Sequence, residues 1–171
     1  MKMLATAGLG ALAALAAAAM ASACFAQGPP PPAARGPAMA LALEAAQTAV
    51  ATCAANGYKV AAVVVDSSGA PRVMVLADGA PGMTGEFARR KAFTANAFKT
   101  PSAAVGEQAK TDKALADRIA ADPKLISWAG GQPLVVGGTV IGAIGVGGAP
   151  GGDKDDVCTS AAIAQIQGRL Y

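Results

Sequence analysis

The sequence predicts an α+β domain in which helices flank an antiparallel sheet of roughly five strands. Apolar runs of strand length occur in neighbouring pairs, joined by short turns at Ser67–Gly69 and at Gly137–Gly138, and this pattern is typical of hairpins. The helical segments lie before, between and after these pairs, which favours α+β over alternating βαβ units. A length of 171 residues suits one domain.

The N-terminus has the features of a secretory signal. A short basic start at Met1–Met3 precedes residues 4–23, which are mostly Ala, Leu and Gly, and small residues follow. We therefore predict a signal peptide over residues 1–26 and a secreted or periplasmic protein without a membrane span after cleavage. The alternatives are an uncleaved transmembrane anchor and lipoprotein processing at Cys24.

A Pro-rich spacer over residues 27–38 separates the signal from the domain, which we place at residues 39–171. The domain opens with an Ala-rich amphipathic helix from Ala40 to Asn56. A hairpin follows, with strands predicted at Lys59–Asp66 and Pro71–Asp78.

The middle of the domain is predicted to be helical. Thr84 is a suitable cap for a helix that runs from Phe87 to Lys99. After a break at Thr100–Ser102, which can cap a short helix, a further helix is expected over Lys110–Ala121.

The C-terminal part returns to strands and ends in a helix. A short strand is expected at Leu125–Ala129, followed by the hairpin strands Pro133–Val136 and Thr139–Val146. Asp153 is expected to cap the last helix, Asp155–Gln167.

Composition excludes several kinds of site. A net charge of +3 and an aromatic content of 4% argue against nucleic-acid binding. The absence of histidine rules out Ser-His-Asp and Cys-His catalysis and any histidine-based zinc site. In an oxidising compartment Cys53 and Cys158 either form a disulfide or stay separate as buried small side chains.

The Gly-rich run that begins at Gly145 is followed by an acidic cluster, and together they argue against phosphate binding. Asp153 follows Gly152 where a phosphate-binding loop needs lysine. The carboxylates of Asp153, Asp155 and Asp156 are either a hard-cation site or, as we favour, a helix cap with two first-turn acids. We therefore predict no metal site.

Cations on the central predicted helix are candidates for holding a ligand carboxylate. Arg89, Arg90 and Lys91 lie within one helical turn, and Thr94 shares a stripe with Lys91. These cations are either a solvated face or, in part, the end of a pocket that binds an anionic group.

Two methionines and the single tryptophan are further candidates near this helix. Met74 and Met83 are either core and loop residues or thioether ligands for haem iron. Trp128 is either a large core side chain or a ring that stacks on a ligand.

Taken in order, several segments resemble the GlcG/HbpS-like family, which is also similar to the C-terminal domain of PduO-type proteins. The segments that carry the resemblance are the leading helix ending at Asn56-Gly57, Val63–Asp66 with Gly69, Asp78–Ala80, Arg90–Ala95, Gly130–Leu134, Ile141–Gly148, and Asp156 with Cys158. The resemblance implies a profilin-like or PAS-like antiparallel sheet and assembly into homo-oligomers. It also implies that exported members bind haem and sense redox state.

This resemblance leads to the functional prediction: an exported protein that binds haem or a similarly flat tetrapyrrole, for haem or redox sensing or for scavenging. Arg89, Arg90 or Lys91 would hold the propionates. Without histidine, the iron would need Met, Lys, Tyr or oxygen ligation, or mainly packing. We do not predict catalysis. The alternatives are a small enzyme for a carboxylate-bearing metabolite, with Lys91 or Asp78 as acid or base, and an oligomeric interaction module without a cofactor.

Overall fold

The computed structural model describes residues 33–171, so the predicted signal peptide and the first part of the spacer lie outside the described residues. The elements in chain order are α1 (Met39–Ala55), β1 (Ala61–Asp66), β2 (Pro71–Leu76), α2 (Thr84–Phe98), α3 (Ser102–Ala109), α4 (Lys113–Ala121), β3 (Gly131–Val136), β4 (Thr139–Gly147), α5 (Gly152–Ile166) and a short 3₁₀ helix (Gln167–Arg169). Within residues 33–171 no helix is both long and apolar enough to cross a bilayer.

The four strands form one antiparallel sheet in the order β2-β1-β4-β3. The predicted α+β class is confirmed, but the described residues form four strands and not the roughly five that we expected. Both predicted hairpins are present, and the turn between β3 and β4 has positive φ at Gly137 and Gly138, as a two-residue hairpin turn requires.

The predicted strand at Leu125–Ala129 is wrong, because the backbone of this segment bonds to helix side chains rather than to the sheet. Ile126 N–H donates to Thr94 Oγ1 at 2.9 Å, and the carbonyl oxygen of Trp128 accepts from Ser102 Oγ at 2.6 Å. Leu125 and Ile126 are buried. The segment therefore lies across α2 and α3 as an irregular strap.

Three predicted helix starts also differ from the structure. The α2 helix begins at Thr84 itself, whose hydroxyl donates to the carbonyl oxygen of Pro81 at 2.7 Å. The α4 helix begins at Lys113, after Asp112 caps it by accepting from Leu115 N–H at 3.0 Å. The α5 helix begins at Gly152, so Asp153 lies inside the first turn and is not the cap.

Helices cover both faces of the sheet. The larger core cluster combines residues of α1 and α5 with one face of the strands. The smaller cluster lies on the other face, where Ala88, Ala92 and Ala95 of α2 pack against β1 and β4. Because β1 is covered on both sides, all six of its residues are buried, which explains its continuous apolar sequence.

Glycine in β4 sets the position of α2. A Cβ atom at Gly145 would overlap the backbone of Ala88 and Ala92 on the helix. Glycine in a strand permits this close approach of a second backbone. The close neighbour of Gly145 is therefore a helix of the same chain.

Candidate functional site

A cavity lies between the start of α2, the end of the strap and the loop that joins β4 to α5. Its volume is about 670 Å³. The residues that line it are Pro81, Met83, Thr84, Phe87, Lys91, Trp128, Ala129, Gly148, Ala149, Gly151, Gly152, Asp153 and Asp155. Most of this lining is apolar or glycine, and the ionisable groups are few.

Aromatic rings form one side of the cavity. The rings of Phe87 and Trp128 are 5.5 Å apart between centroids and tilted by 46°. Trp128 is 57% exposed and Met83, on the rim, is 58% exposed. An exposed aromatic and thioether surface of this kind is typical of a ligand site rather than of a finished core.

A buried ion pair forms the polar end of the cavity. Lys91 Nζ lies 2.6 Å from Asp155 Oδ2, and both side chains are only 3% exposed. The second oxygen, Asp155 Oδ1, accepts from Ala149 N–H at 3.1 Å. Burial raises the pKa of Asp155, and the hydrogen bond from Lys91 opposes that rise. We call this pair the cavity floor.

The backbone of Gly130 lies close to the cavity floor and leaves room for it. Its φ is +113°, and a Cβ atom there would lie 2.9 Å from Lys91 Nζ and 2.7 Å from Asp155 Cβ. Its N–H donates to Asp156 Oδ1 at 2.8 Å, and its carbonyl oxygen accepts from Thr159 Oγ1 at 3.0 Å. Only glycine fits this conformation without displacing the ion pair.

The structure brings three of the candidate residues, Lys91, Met83 and Trp128, to the cavity. Arg89 pairs with Glu86 instead, through two hydrogen bonds of 2.9 and 2.7 Å that lower the pKa of Glu86. Arg90 Nη2 donates to the carbonyl oxygen of Leu125.

The other two predicted residues, Thr94 and Met74, do not line the cavity. The Thr94 hydroxyl is buried and accepts from the strap. Met74 lies on β2, where it is 45% exposed and close to Gly85. Asp78, the alternative acid or base, also lies outside the cavity lining.

The three aspartates of the acidic cluster lie in different surroundings. Asp155 pairs with Lys91, Asp156 accepts from Gly130 N–H, and Asp153 is exposed on the cavity wall. Among the described residues no group of three or more acidic, cysteine or histidine side chains could hold a metal ion.

Sequence reasoning missed Phe87, Asp155 and the β4–α5 loop as parts of the site. Phe87 and Lys91 are four residues apart on α2, so they share a face of the helix. This spacing could have indicated that Phe87 lies at the same site as Lys91. Asp155 lies 64 residues after Lys91, and nothing local in the sequence indicates that they meet.

Comparisons with known proteins agree with this fold. The family model of haem degrading, HbpS-like proteins matches residues 38–164. A solved structure of HbpS is 33% identical, covers 75% of this chain and 89% of its own, and has a TM-score of 0.70. A double mutant of HbpS from Streptomyces reticuli is 32% identical, covers 75% of this chain and 86% of its own, and also has a TM-score of 0.70.

A solved haem complex of the PduO C-terminal domain is 24% identical, covers 78% of this chain and 96% of its own, and has a TM-score of 0.71. At this identity the likeness shows the fold alone. A comparison with the curated proteins gives no match. The family match nevertheless spans most of the sequence, and the resemblance predicted from the residues is confirmed. The chain belongs to the family of haem degrading, HbpS-like proteins.

Proposed function

We propose that this protein binds haem, or a similarly flat tetrapyrrole, in the cavity between α2 and the β4–α5 loop. The observation that carries the proposal is an apolar cavity walled by Phe87 and Trp128 in a chain of the haem degrading, HbpS-like family. The haem complex of the PduO domain, which shares the fold, supports the same ligand class.

The size and chemistry of the cavity fit such a ligand. Its volume of about 670 Å³ lies within the range of roughly 300–1,000 Å³ that is usual for small-molecule and cofactor sites. Aromatic side chains bind a flat ring through offset stacking. Because Trp128 and Met83 are more than half exposed, the rim of the cavity is open to water.

Met83 is the cavity residue best suited to hold the iron. The chain has no histidine, and the amine of Lys91 is already bonded to Asp155. A thioether is an established axial ligand in haem proteins. Haem would supply an iron centre that can exchange an electron or bind a small ligand, while Phe87 and Trp128 would supply apolar walls and Met83 a thioether for the iron.

Export is the second part of the proposal. The hydrophobic N-terminal segment supports it, and so does the disulfide between Cys53 and Cys158, which joins α1 to α5 inside the larger core. Structural disulfides persist in oxidising compartments. An exported haem-binding protein would serve in haem or redox sensing or in scavenging.

Self-association completes the proposal. Met74 and Leu76 are 45% and 47% exposed on β2, an edge strand of the sheet. An apolar edge of this kind supports packing against a second copy of the chain. Light scattering after size-exclusion chromatography tests this, and a monomer at all concentrations would contradict it.

The direct test is a titration of the purified mature protein with haemin, followed by the Soret band. We expect a saturable shift at low micromolar protein. Phe87→Ala should weaken binding, whereas Phe93→Ala should not, because Phe93 lies on the same helix but packs near Gly69 and Lys124. An unsaturable titration, or equal effects of the two variants, would contradict the proposal.

The family description also makes haem degradation a second candidate function. The same saturated sample tests it when its Soret absorbance is followed over hours with and without an added reductant. A protein that only binds haem keeps the band, whereas one that degrades it loses the band faster than free haemin does.

A further inference from the structure

We infer that the cavity floor binds the carboxylate of an aromatic or other apolar ligand on Lys91, and that one proton enters the site with it and resides on Asp155. The inference rests on the proposal that this cavity is the ligand site. It adds the chemical group that the floor recognises and the pH dependence of binding.

The geometry leaves Lys91 with capacity to bind an anion. Its ammonium group has three N–H donors. Among residues 33–171, the hydrogen-bond acceptor of Nζ is Asp155 Oδ2, at 2.6 Å. Lys91 also lines the cavity while 97% of its side chain is shielded. A ligand carboxylate that reaches the floor can therefore accept from the remaining donors in a water-poor environment, where such hydrogen bonds are strong.

Charge balance requires the proton. Lys91 and Asp155 together are neutral, so a ligand carboxylate would add one uncompensated negative charge to a buried site. An unpaired buried charge is costly, and such sites usually take up or release a proton instead. A neutral Asp155 restores the balance, and its O–H can donate to the incoming carboxylate.

The groups around the floor make Asp155 the site of protonation. Burial already raises its pKa, and the nearby negative charge of Asp156 adds to this rise. Asp156 itself accepts from Gly130 N–H, and Asp153 is exposed on the cavity wall.

Within residues 33–171, the cavity lining contains no cation besides Lys91. On α2, Arg90 is engaged with the carbonyl oxygen of Leu125, and the β4–α5 loop contributes the N–H of Ala149. The lining of the cavity thus holds the cation of Lys91 and the carboxylates of Asp153 and Asp155. A ligand carboxylate that enters would be the third carboxylate, and it enters together with the proton that neutralises Asp155.

Two sources could supply this carboxylate: a propionate of haem or a free aromatic acid. Three probes distinguish them, namely haemin, haemin dimethyl ester and indole-3-acetate. Calorimetric titrations of each probe in phosphate and in Tris buffer count the protons that enter on binding. A probe whose carboxylate reaches the floor should take up one proton, and its affinity should fall about tenfold per pH unit above neutrality.

The ester should bind without this proton uptake, because it lacks the carboxylate. Proton uptake by haemin places the propionate on the floor, and proton uptake by indole-3-acetate alone identifies a free aromatic acid as the ligand. No proton uptake with either acid overturns the inference. Haemin that binds without proton uptake would leave the proposed function intact. Binding of indole-3-acetate with a proton but no binding of haemin would overturn the proposed function alone.

Variants give a second test of the same claim. Asp155→Asn should bind the acid more tightly at pH 8 and lose the pH dependence, because Lys91 is then already free of a competing anion. The matched control Asp153→Asn, which removes an exposed carboxylate from the same cavity, should keep the proton uptake. A retained pH dependence in Asp155→Asn overturns the inference. If this variant does not fold, the number of protons that the unmodified protein takes up on binding is by itself the test of the inference.

Discussion

Gly145 of β4 lies directly against Ala88 of α2, with no room for a side chain between the strand and the helix. This contact fixes how far α2 stands from the sheet. Phe87 and Lys91 lie one residue before and three residues after Ala88, so the same contact brings both side chains to the cavity. The glycine therefore serves the site as well as the core.

Replacement of Gly145 by alanine should destabilise the domain by about 1–3 kcal/mol or more, because the new methyl group would overlap the backbone of α2. The control is Gly82→Ala. A Cβ atom at Gly82 meets nothing within 4 Å, so its effect should stay within about 0.5 kcal/mol. Urea denaturation measures both, and equal stability of the two variants would contradict the packing described.

The fold was predictable where a pattern has one physical meaning. The continuous apolar run of β1 indicates a strand buried on both faces, and the Gly137–Gly138 turn indicates a hairpin. The apolar run at Leu125–Ala129 was misleading, because a short run suits a strand and a buried loop equally well. Side chains of Thr94 and Ser102, distant in sequence, decide between them by binding its backbone.

The site was predictable only in part. Three adjacent cations on α2 look equivalent in sequence, yet Arg89 meets Glu86, Arg90 meets a carbonyl oxygen and Lys91 alone lines the cavity. The rotation of the helix against β4 decides this. Asp155 resembled an ordinary first-turn acid because its partner lies on another element.

Removal of one member of the Lys91–Asp155 pair should lower the free energy of unfolding. Lys91→Met leaves the carboxylate of Asp155 buried without its cation, and we expect a loss of about 3–5 kcal/mol in the free energy of unfolding. Lys113→Met is the matched control, since Lys113 pairs with Asp117 on the exposed face of α4 and should cost about 0–1 kcal/mol.

The double variant Lys91→Met, Asp155→Leu, measured beside the single variants Lys91→Met and Asp155→Leu, completes a mutant cycle for this pair. It should be more stable than Lys91→Met alone, because neither charge then remains buried without a partner. Additive losses would show that the two side chains do not depend on each other.

The disulfide should carry a large share of the stability. Cys53 and Cys158 are 105 residues apart in sequence, so the bond restricts most of the unfolded chain. The double variant Cys53→Ala, Cys158→Ala should lose about 2–5 kcal/mol. Reductant should produce a comparable loss in the unmodified protein and none in the double variant; an unmodified protein insensitive to reductant under denaturing conditions would contradict the bond.

Met83 and Met74 provide a matched pair for the haem site. Both are exposed methionines, but Met83 lines the cavity and Met74 lies on β2. Met83→Leu should shift the Soret maximum of the haemin complex and weaken binding several-fold, because leucine keeps the bulk but loses the thioether. Met74→Leu should match the unmodified protein in both respects. Identical spectra for all three proteins would remove Met83 as a ligand.

The central claim is that the ligand occupies the cavity between α2 and the β4–α5 loop. The most direct measurement is a ¹⁵N NMR titration of the protein with gallium protoporphyrin IX, which is diamagnetic and produces strong ring-current shifts. The single tryptophan, Trp128, gives one indole N–H signal from the cavity wall. We predict that the largest shifts occur at this signal and at the amides of residues 148, 149 and 151–153. Shifts centred on β2 instead, or no saturable shifts at all, would contradict the account.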